Sequence, residues 1–550
     1  MKVYSSRSFL KIISLLAFSQ SLLFSGFIFA SEDPDTLINK TINWQNADVA
    51  SDNKMGVSTE KAYKVILKGK KSKKIIVAII DSGVDTDHED LKSNIWTNEK
   101  EIPGNGIDDD KNGYVDDIHG WNFLGNSKGE NVVEESLEVT RVYAKMHVKF
   151  NNRKPSQIKP EEKQDYELYQ NAKIAYEGEY NDTKSTLERL NGFYKKYSDS
   201  DALVKMHLKK ETYSLDDLKS ITVSDSTLSA AVNLLSRLIQ NDFKLETFNK
   251  QKAHFENTLK YYLNLEFNPR SIIGDNTDNL KDSIYGNNNV RGGGAEHGTH
   301  VAGIVGAIRN NGKGIDGIAD NVQLMAVRVV PDGDERDKDI INAIHYAVNN
   351  GAKIINMSFG KTISPQKEGV FQALKYAEQR GVLLVHAAGN SSENIDKVIH
   401  YPTGDLGKDQ KPVSTYLCVG ASAMDKDNKL RGNFSNFGKK TVDLFAPGVN
   451  IHSSIPNNKY ESFNGTSMAC PVVAGVAALV WSYYPELSCL QLRDILVKSS
   501  VSYKRFKVLK PNTDPSKVKT IKFGKLSKTG AIVNAYEAVK LAEELTKGKK

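Results

Sequence analysis

The chain has 550 residues, 39% of them hydrophobic, with 74 Lys and Arg against 67 Asp and Glu and a net charge of +7. That length allows a large core in one or two domains. So small a balance over so many charges gives no pointer to nucleic acid and reads as a solvated surface.

At the N-terminus Lys2, Arg7 and Lys11 precede an apolar stretch from Ile12 to Ala30, and Ser31-Glu32-Asp33-Pro34 follows. This is the pattern of a signal peptide over 1–30, with Ala30 at the cleavage point, and it predicts export to the periplasm or the extracellular space. An uncleaved anchor is the competing reading; Ser19, Gln20, Ser21, Ser25 and Gly26 weaken it. No Cys follows the stretch, which speaks against lipid attachment, and no membrane span is expected after signal cleavage.

Ile75-Ile76-Val77-Ala78-Ile79-Ile80 is a short unbroken apolar run, suited to a strand buried on both faces of a parallel sheet. Asp81 then stands at a strand's C-terminal end, where open α/β sheets place their sites.

From Asn105 to Asp117 oxygen-bearing side chains recur at every second position, and Gly113 allows a sharp turn. Asp108, Asp110, Asn112 and Asp116 match positions 1, 3, 5 and 9 of an EF-hand-type loop and suit a structural Ca²⁺. His119 stands where the bidentate Glu belongs, so this is not a true EF-hand. The competing reading is an acidic turn in solvent, though five carboxylates so close repel one another without a cation.

Residues 130 to 285 are rich in Lys, Glu and Tyr, with few Gly or Pro, and read as helices. Tyr166, Tyr169, Tyr176, Tyr180, Leu187, Leu190, Tyr194 and Tyr197 follow alternating spacings of 3 and 4, a helical seam interrupted at Lys173 and Thr183. Leu228 to Ile239 and Phe248 to Phe267 supply partners for a hairpin or small bundle. A lid or partner-docking arm and a plain surface excrescence both fit this segment.

His297 leads through Gly298 and Thr299 into small apolar residues suited to a buried helix, with His300 packing or capping. Further on, the strand Ile354-Ile355-Asn356-Met357 runs into Ser358-Phe359-Gly360, and Val385-His386-Ala387-Ala388-Gly389 into Asn390. Gly465-Thr466-Ser467-Met468-Ala469 enters another small-residue helix, with Pro471 in the first turn where a missing N–H is harmless. Ser467 therefore meets a helix N-terminus, whose N–H groups can donate to a developing oxyanion. Cys418, Cys470 and Cys489 are an odd number, so at least one thiol is not in an intrachain disulfide, and none is predicted.

An acid, a base and a nucleophile are thus offered by Asp81, His297 and Ser467. A serine hydroxyl is a weak nucleophile that needs an imidazole to take its proton, and the imidazole needs a carboxylate to fix its tautomer and stabilise its cation. The segments carrying them, DSGVD, HGTHVAG and GTSMACP, resemble in sequence and order the three signatures of the subtilases, the subtilisin-like serine peptidases. The order Asp, His, Ser differs from the chymotrypsin and α/β-hydrolase arrangements, and Ala469 replaces the second Gly of G-x-S-x-G, which disfavours a lipase or esterase.

The resemblance implies an α/β, subtilisin-like three-layer fold with a central parallel sheet, and a secreted serine endopeptidase acting on proteins or peptides. Asn390 matches the side-chain oxyanion donor. Ser358, Phe359 and Gly360 match the strand that pairs with extended substrate and walls the first specificity pocket. Asp332, Asp334, Glu335 and Asp337 fall on the rim of the upstream pockets, an expectation that basic residues are favoured before the cut. Acidic loops like 105–117 occur in bacterial subtilases, and Asp90 with Asn311 match positions that help hold a further calcium. The departure is the gap of 216 residues between acid and base, where simple subtilases need a few dozen. The expected organisation is therefore a signal peptide at 1–30, a catalytic domain from 31–129 and 286–550, and a helical insertion at 130–285. Ser31 to Lys74 leaves no room for an inhibitory propeptide, with Trp44 and Gly56-Val57-Ser58 resembling the start of the catalytic domain. The alternative is a catalytically inactive scaffold that binds peptides, or docks an envelope partner through the insertion.

Overall fold

The computed structural model describes residues 42–222, 225–407, 410–512 and 518–547; the expected signal peptide at 1–30 lies outside them. The chain divides into two compact units, a helical one at 139–267 and a sheet-centred one formed by the described residues up to 138 and from 268 onward.

The helical unit contains α1 (Glu138–Phe150), the 46-residue α2 (Lys163–Leu208), α3 (Ser226–Gln240) and α4 (Leu245–Asn257). Tyr169, Ala172 and Tyr176 of α2 are buried, and the rings of Tyr169 and Tyr176 stack on Tyr143 with centroids 6.0 and 4.7 Å away. Towards the other end of α2 the inward residues are Phe193, against Phe243 and Phe248, and Val204, against Leu228, Ala231 and Leu235. Tyr194, part of the expected seam, is 39% exposed. Its ring nevertheless stacks on Phe248 with centroids 6.2 Å apart, and Tyr197, one turn on, packs against Phe243 at 5.6 Å, so the seam still faces α4 and the segment before it.

In the sheet unit nine strands lie in the order β10-β13-β7-β6-β5-β4-β1-β3-β2. They are β1 (Ile75–Asp81), β2 (Gly120–Asn122), β3 (Val322–Arg328), β4 (Ile354–Met357), β5 (Leu383–Ala387), β6 (Tyr416–Ser422), β7 (Leu444–Pro447), β10 (Val501–Ser502) and β13 (Ala531–Ile532); two hairpins, β8–β9 (Ile451–Ile455, Lys459–Phe463) and β11–β12 (Lys507–Leu509, Thr520–Lys522), lie outside it. All pairings from β13 through β7 to β2 are parallel, and only β10 runs antiparallel. Such strands need apolar side chains on both faces. In β1, Val77 and Ile79 enter one core while Ala78 and Ile80 enter the other.

Those cores are the layers on either side of the sheet. One is covered by α5 (Glu296–Gly306), α8 (Thr466–Tyr483) and α10 (Ala535–Lys547), the other by α6 (Asp337–Asn349) and α7 (Lys367–Gln379); α9 is Cys489–Ser499. By length and composition α8 is apolar enough to cross a membrane, but 89% of it is buried, which marks it as a core helix. Trp44 and Val57 pack in the same core.

Residues 130–138 and 268–285, grouped with the helices by composition, pack in the sheet unit. Arg270 there is 5% exposed and bonds Asp275 at 2.6 Å and Asp339 of α6 at 2.7 Å, while Lys338 bonds Asp275 and Asp282. A buried cation survives only with such partners.

Candidate active site

Asp81 ends β1 and is fully buried. Its Oδ1 accepts from the Ser82 N–H and from Nδ1 of His297, both at 2.7 Å, while Oδ2 has no hydrogen-bond partner among the described residues. His297 lies in the first turn of α5 and keeps 37% of its side chain exposed. Burial works against the imidazolium, but the Asp81 carboxylate, through charge and hydrogen bond, outweighs it and holds the ring above its ordinary pKa. The other imidazole of the motif is different. His300 stacks on Phe463 and bonds the Glu461 carbonyl at 3.1 Å, and burial pushes it down to about 3, a neutral packing residue.

Ser467 is the second residue of α8, so its N–H has no partner within the helix. Its hydroxyl donates to the Ser358 carbonyl at 3.0 Å; no hydrogen bond from it to His297 is present among the described residues. The Ser358 hydroxyl in turn donates to the Ser467 carbonyl at 2.9 Å, which ties the end of β4 to the start of α8. Oδ1 of Asn390 accepts from both the N–H and the hydroxyl of Thr466 at 2.9 Å. Because a backbone N–H must face an oxygen, these bonds fix the amide orientation and leave Nδ2 on the other side, available as a donor. The three cysteines are buried free thiols; Cys470, on α8, faces the Met357 carbonyl.

Ser358-Phe359-Gly360 continues β4, and Ala388-Gly389-Asn390 continues the neighbouring β5. His386 lies beneath, donating from Nε2 to the Phe359 carbonyl at 2.8 Å with Tyr416 at Nδ1, and burial lowers its pKa to about 4. The four rim acids do not form the expected basic-preferring patch. Asp337 is 3% exposed, with its carboxylate held by Lys361, Ser364 and the Gln366 N–H. Glu335 is 2% exposed, and burial, against the pull of Lys361, holds its carboxyl well above the usual carboxylate range. Asp334 accepts the Glu138 N–H at 2.8 Å, and Asp332 alone of the four is exposed. A carboxylate engaged internally, like Asp337, or held in its neutral form by burial, like Glu335, offers little to a passing cation.

The acidic loop also differs from its expected ligand set. Carboxylate oxygens of Glu101, Asp108 and Asp110 lie within 4.8 Å of one another, close enough to share one ion at ordinary Ca–O distances. Asp116 faces elsewhere: its two oxygens accept the Gly104 and Gly106 N–H groups at 2.8 and 2.9 Å. Asn112 accepts from Tyr114 N–H and donates to Asp117. Glu101 lies outside the sequence motif, so spacing within the loop could not reveal it; it is drawn in by bonds from the Asp110 and Asp116 N–H groups at 3.0 and 3.1 Å. At the other expected ion position, Asn311 donates to Asp90 at 2.6 Å.

Comparison with known proteins adds an independent line. A model of the subtilase family matches residues 72–524. Subtilisin DY of Bacillus licheniformis is 39% identical over 208 residues, which cover 38% of this chain and 70% of that protein. Subtilisin BL of Lederbergia lenta is 39% identical over 228 residues, covering 39% of this chain and 78% of that protein. A solved protease from Pseudoalteromonas arctica PAMC 21717, 28% identical, covers 46% of this chain and 74% of that one with a TM-score of 0.36.

Proposed function

Since the chain belongs to the subtilase family and is a serine endopeptidase, we propose that Ser467 is its nucleophile, His297 the base, Asp81 the orienting carboxylate, and Asn390 with the Ser467 N–H the oxyanion donors. The observation that carries this reading is the 2.7 Å bond between Asp81 and His297, two polar side chains 216 residues apart that an apolar core has no structural need to join.

In the resting chain the Ser467 hydroxyl is held by the Ser358 carbonyl. A peptide laid along Ser358–Gly360 as an added strand brings its own N–H to that carbonyl and releases the hydroxyl to His297 Nε2. The imidazole takes the proton as Oγ attacks the scissile carbonyl, and Asp81 stabilises the resulting cation. Asn390 Nδ2 and the Ser467 N–H hold the oxyanion. Collapse expels the amine with the proton from His297, and water, deprotonated by the same imidazole, releases the acid from the acyl-enzyme.

The same reading makes the chain an exported enzyme, with 1–30 as signal segment, the sheet unit up to residue 138 and from 268 onward as catalytic domain, and 139–267 as an inserted helical unit. Glu101, Asp108 and Asp110 would hold a structural Ca²⁺, which would neutralise carboxylates that otherwise repel one another.

The test is covalent labelling by a fluorophosphonate probe. Labelling of the parent protein and its absence in Ser467→Ala is the expected result. A folded parent protein that takes no label would overturn the assignment in favour of an inactive scaffold.

A further inference from the structure

We propose that the hairpin β11–β12 and its flanks are a docking surface for an anionic phospholipid bilayer, with Lys504, Arg505, Lys507, Lys510, Lys519 and Lys522 as the groups that meet the lipid phosphates. This surface is separate from the groups assigned to catalysis.

The chain's positive charge is concentrated there. Residues 504–512 and 518–528 hold eight Lys and Arg and no Asp or Glu, whereas the whole chain carries a net +7, so the remainder is close to neutral. All eight are exposed. Alternation along the strands turns Val508 and Ile521, a cross-strand pair, towards the core beneath, with Val508 fully buried. The neighbouring pair, Lys507 and Lys522, is left facing outward side by side. Directly opposed side chains have Cβ atoms about 4.5–5.5 Å apart, and like charges so placed destabilise a hairpin. Of the eight, Lys528 bonds Asp443 at 2.9 Å; Lys507 and Lys522 have no ion pair among the described residues. Beyond Leu509 the Lys510 N–H donates to the Lys519 carbonyl at 2.8 Å, which sets a second pair of lysines at the end of the ladder. The adjoining loop, held by the Leu509 N–H on the Asn428 carbonyl at 2.7 Å, offers Asp425 and Asp427 but also Lys426 and Lys429, and leaves the sum unchanged.

Lysines on exposed strand edges guard against strand addition, but that purpose needs no lysine facing another across the ladder. A surface of closely spaced phosphates gives the arrangement a use, because it neutralises both members of a pair at once. The hairpin is a firm mount for it: Val508, Phe523 and Leu526 are fully buried in one cluster, and Phe523 packs on Phe445 with centroids 4.7 Å apart. Two features favour a bilayer over a nucleic acid. Val518, two residues before β12, is 74% exposed, an apolar group able to enter the headgroup region beside the lysines. Rings on which bases could stack are withheld, since Tyr503 and Phe506 pack against the same cluster and Phe523 lies inside it.

The experiment is co-sedimentation of the exported protein with vesicles of phosphatidylcholine alone or mixed equally with phosphatidylglycerol. Binding is expected to the mixed vesicles only, at about 0.05 M salt, and is expected to be lost by about 0.5 M, where screening cuts the reach of each charge to a few ångströms. A lysine near an anionic surface strengthens binding by a factor of about five. Lys507→Gln, Lys510→Gln, Lys519→Gln and Lys522→Gln combined in one chain should therefore weaken binding at least about 100-fold, with unfolding temperature and peptide turnover kept at the parent values. Equal binding to both vesicles, binding to neither, or a variant that binds as the parent does overturns the inference. A DNA duplex bound at lower concentration than the mixed vesicles, and released by the same four substitutions, overturns the lipid assignment in favour of a nucleic acid.

Discussion

The proposed catalytic centre and the acidic loop of residues 101–117 both depend on carboxylates, yet they hold them in opposite ways. In the centre a single buried carboxylate, Asp81, reaches one imidazole 216 residues away, and the two are aligned by the end of a strand and the start of a helix. In the loop Glu101, Asp108, Asp110 and Asp116 lie close in sequence and are held chiefly by backbone N–H groups of the same stretch. The first arrangement draws its precision from the packed sheet and helices around it, so changing one group removes chemistry and leaves the fold standing. The second draws it from local turns, so changing one group alters the turn, the affinity for an ion, or both.

The largest effect expected from that contrast is in Asp81→Asn. With the carboxylate gone the imidazole loses its orienting partner, and kcat should fall by about 10⁴-fold with little change in unfolding temperature. The pH profile sharpens the point. As the proposed base, His297 would act only when neutral, and Asp81 raises its pKa. Activity should therefore be lost as pH falls, along a limb that lies above the ordinary imidazole value of about 6.5; in Asp81→Asn the residual limb should move to lower pH. A limb that stays in place would mean that Asp81 does not govern the base. A smaller effect is expected for Asn390→Ala, about 10²- to 10³-fold in kcat with KM nearly unchanged, because the amide donates only to charge that develops in the transition state. A change confined to KM would make Asn390 a binding residue.

The same contrast explains what was legible in the sequence. Asp81, His297 and Ser467 stood out because each sits at a junction between an apolar element and a glycine-bearing turn, and such junctions write themselves into a few consecutive residues. The three-layer core was readable for a related reason: Val77 to Ile80 is unbroken apolar because both faces of β1 are covered. Long-range contacts left no such mark. Nothing near Glu335 or Asp337 in sequence shows that Lys361 lies against them, so the rim looked like an exposed acidic patch. In α2 the tyrosine seam was legible along the helix: Tyr169 and Tyr176 are buried near its start, and Tyr194 and Tyr197 pack against Phe248 and Phe243 further on, though less deeply.

The acidic loop offers a finer test. The loop's spacing selects Asp116 as a ligand, whereas the folded chain gathers Glu101 with Asp108 and Asp110. Calcium bound to the folded chain alone should stabilise it by about 2.7 kcal/mol at a hundredfold excess over its Kd, read as a rise in unfolding temperature that chelator reverses. In Glu101→Gln most of that rise should disappear.

Asp116→Asn is expected to give the smaller and opposite pattern. Its two oxygens accept the Gly104 and Gly106 N–H groups, and the residue is 6% exposed. An amide can offer only one oxygen and must turn its NH₂ towards the other donor. The loss should be on the order of 1–2 kcal/mol, the scale of one buried group left unsatisfied. It should be the same with and without calcium, because the part lost is the turn and not the ion's coordination. The two variants form a cross: calcium dependence lost in Glu101→Gln and kept in Asp116→Asn supports the ligand set drawn from the fold. The reverse would restore the one drawn from spacing and place the acidic loop, like the catalytic centre, among the sites whose key residues are written in local sequence.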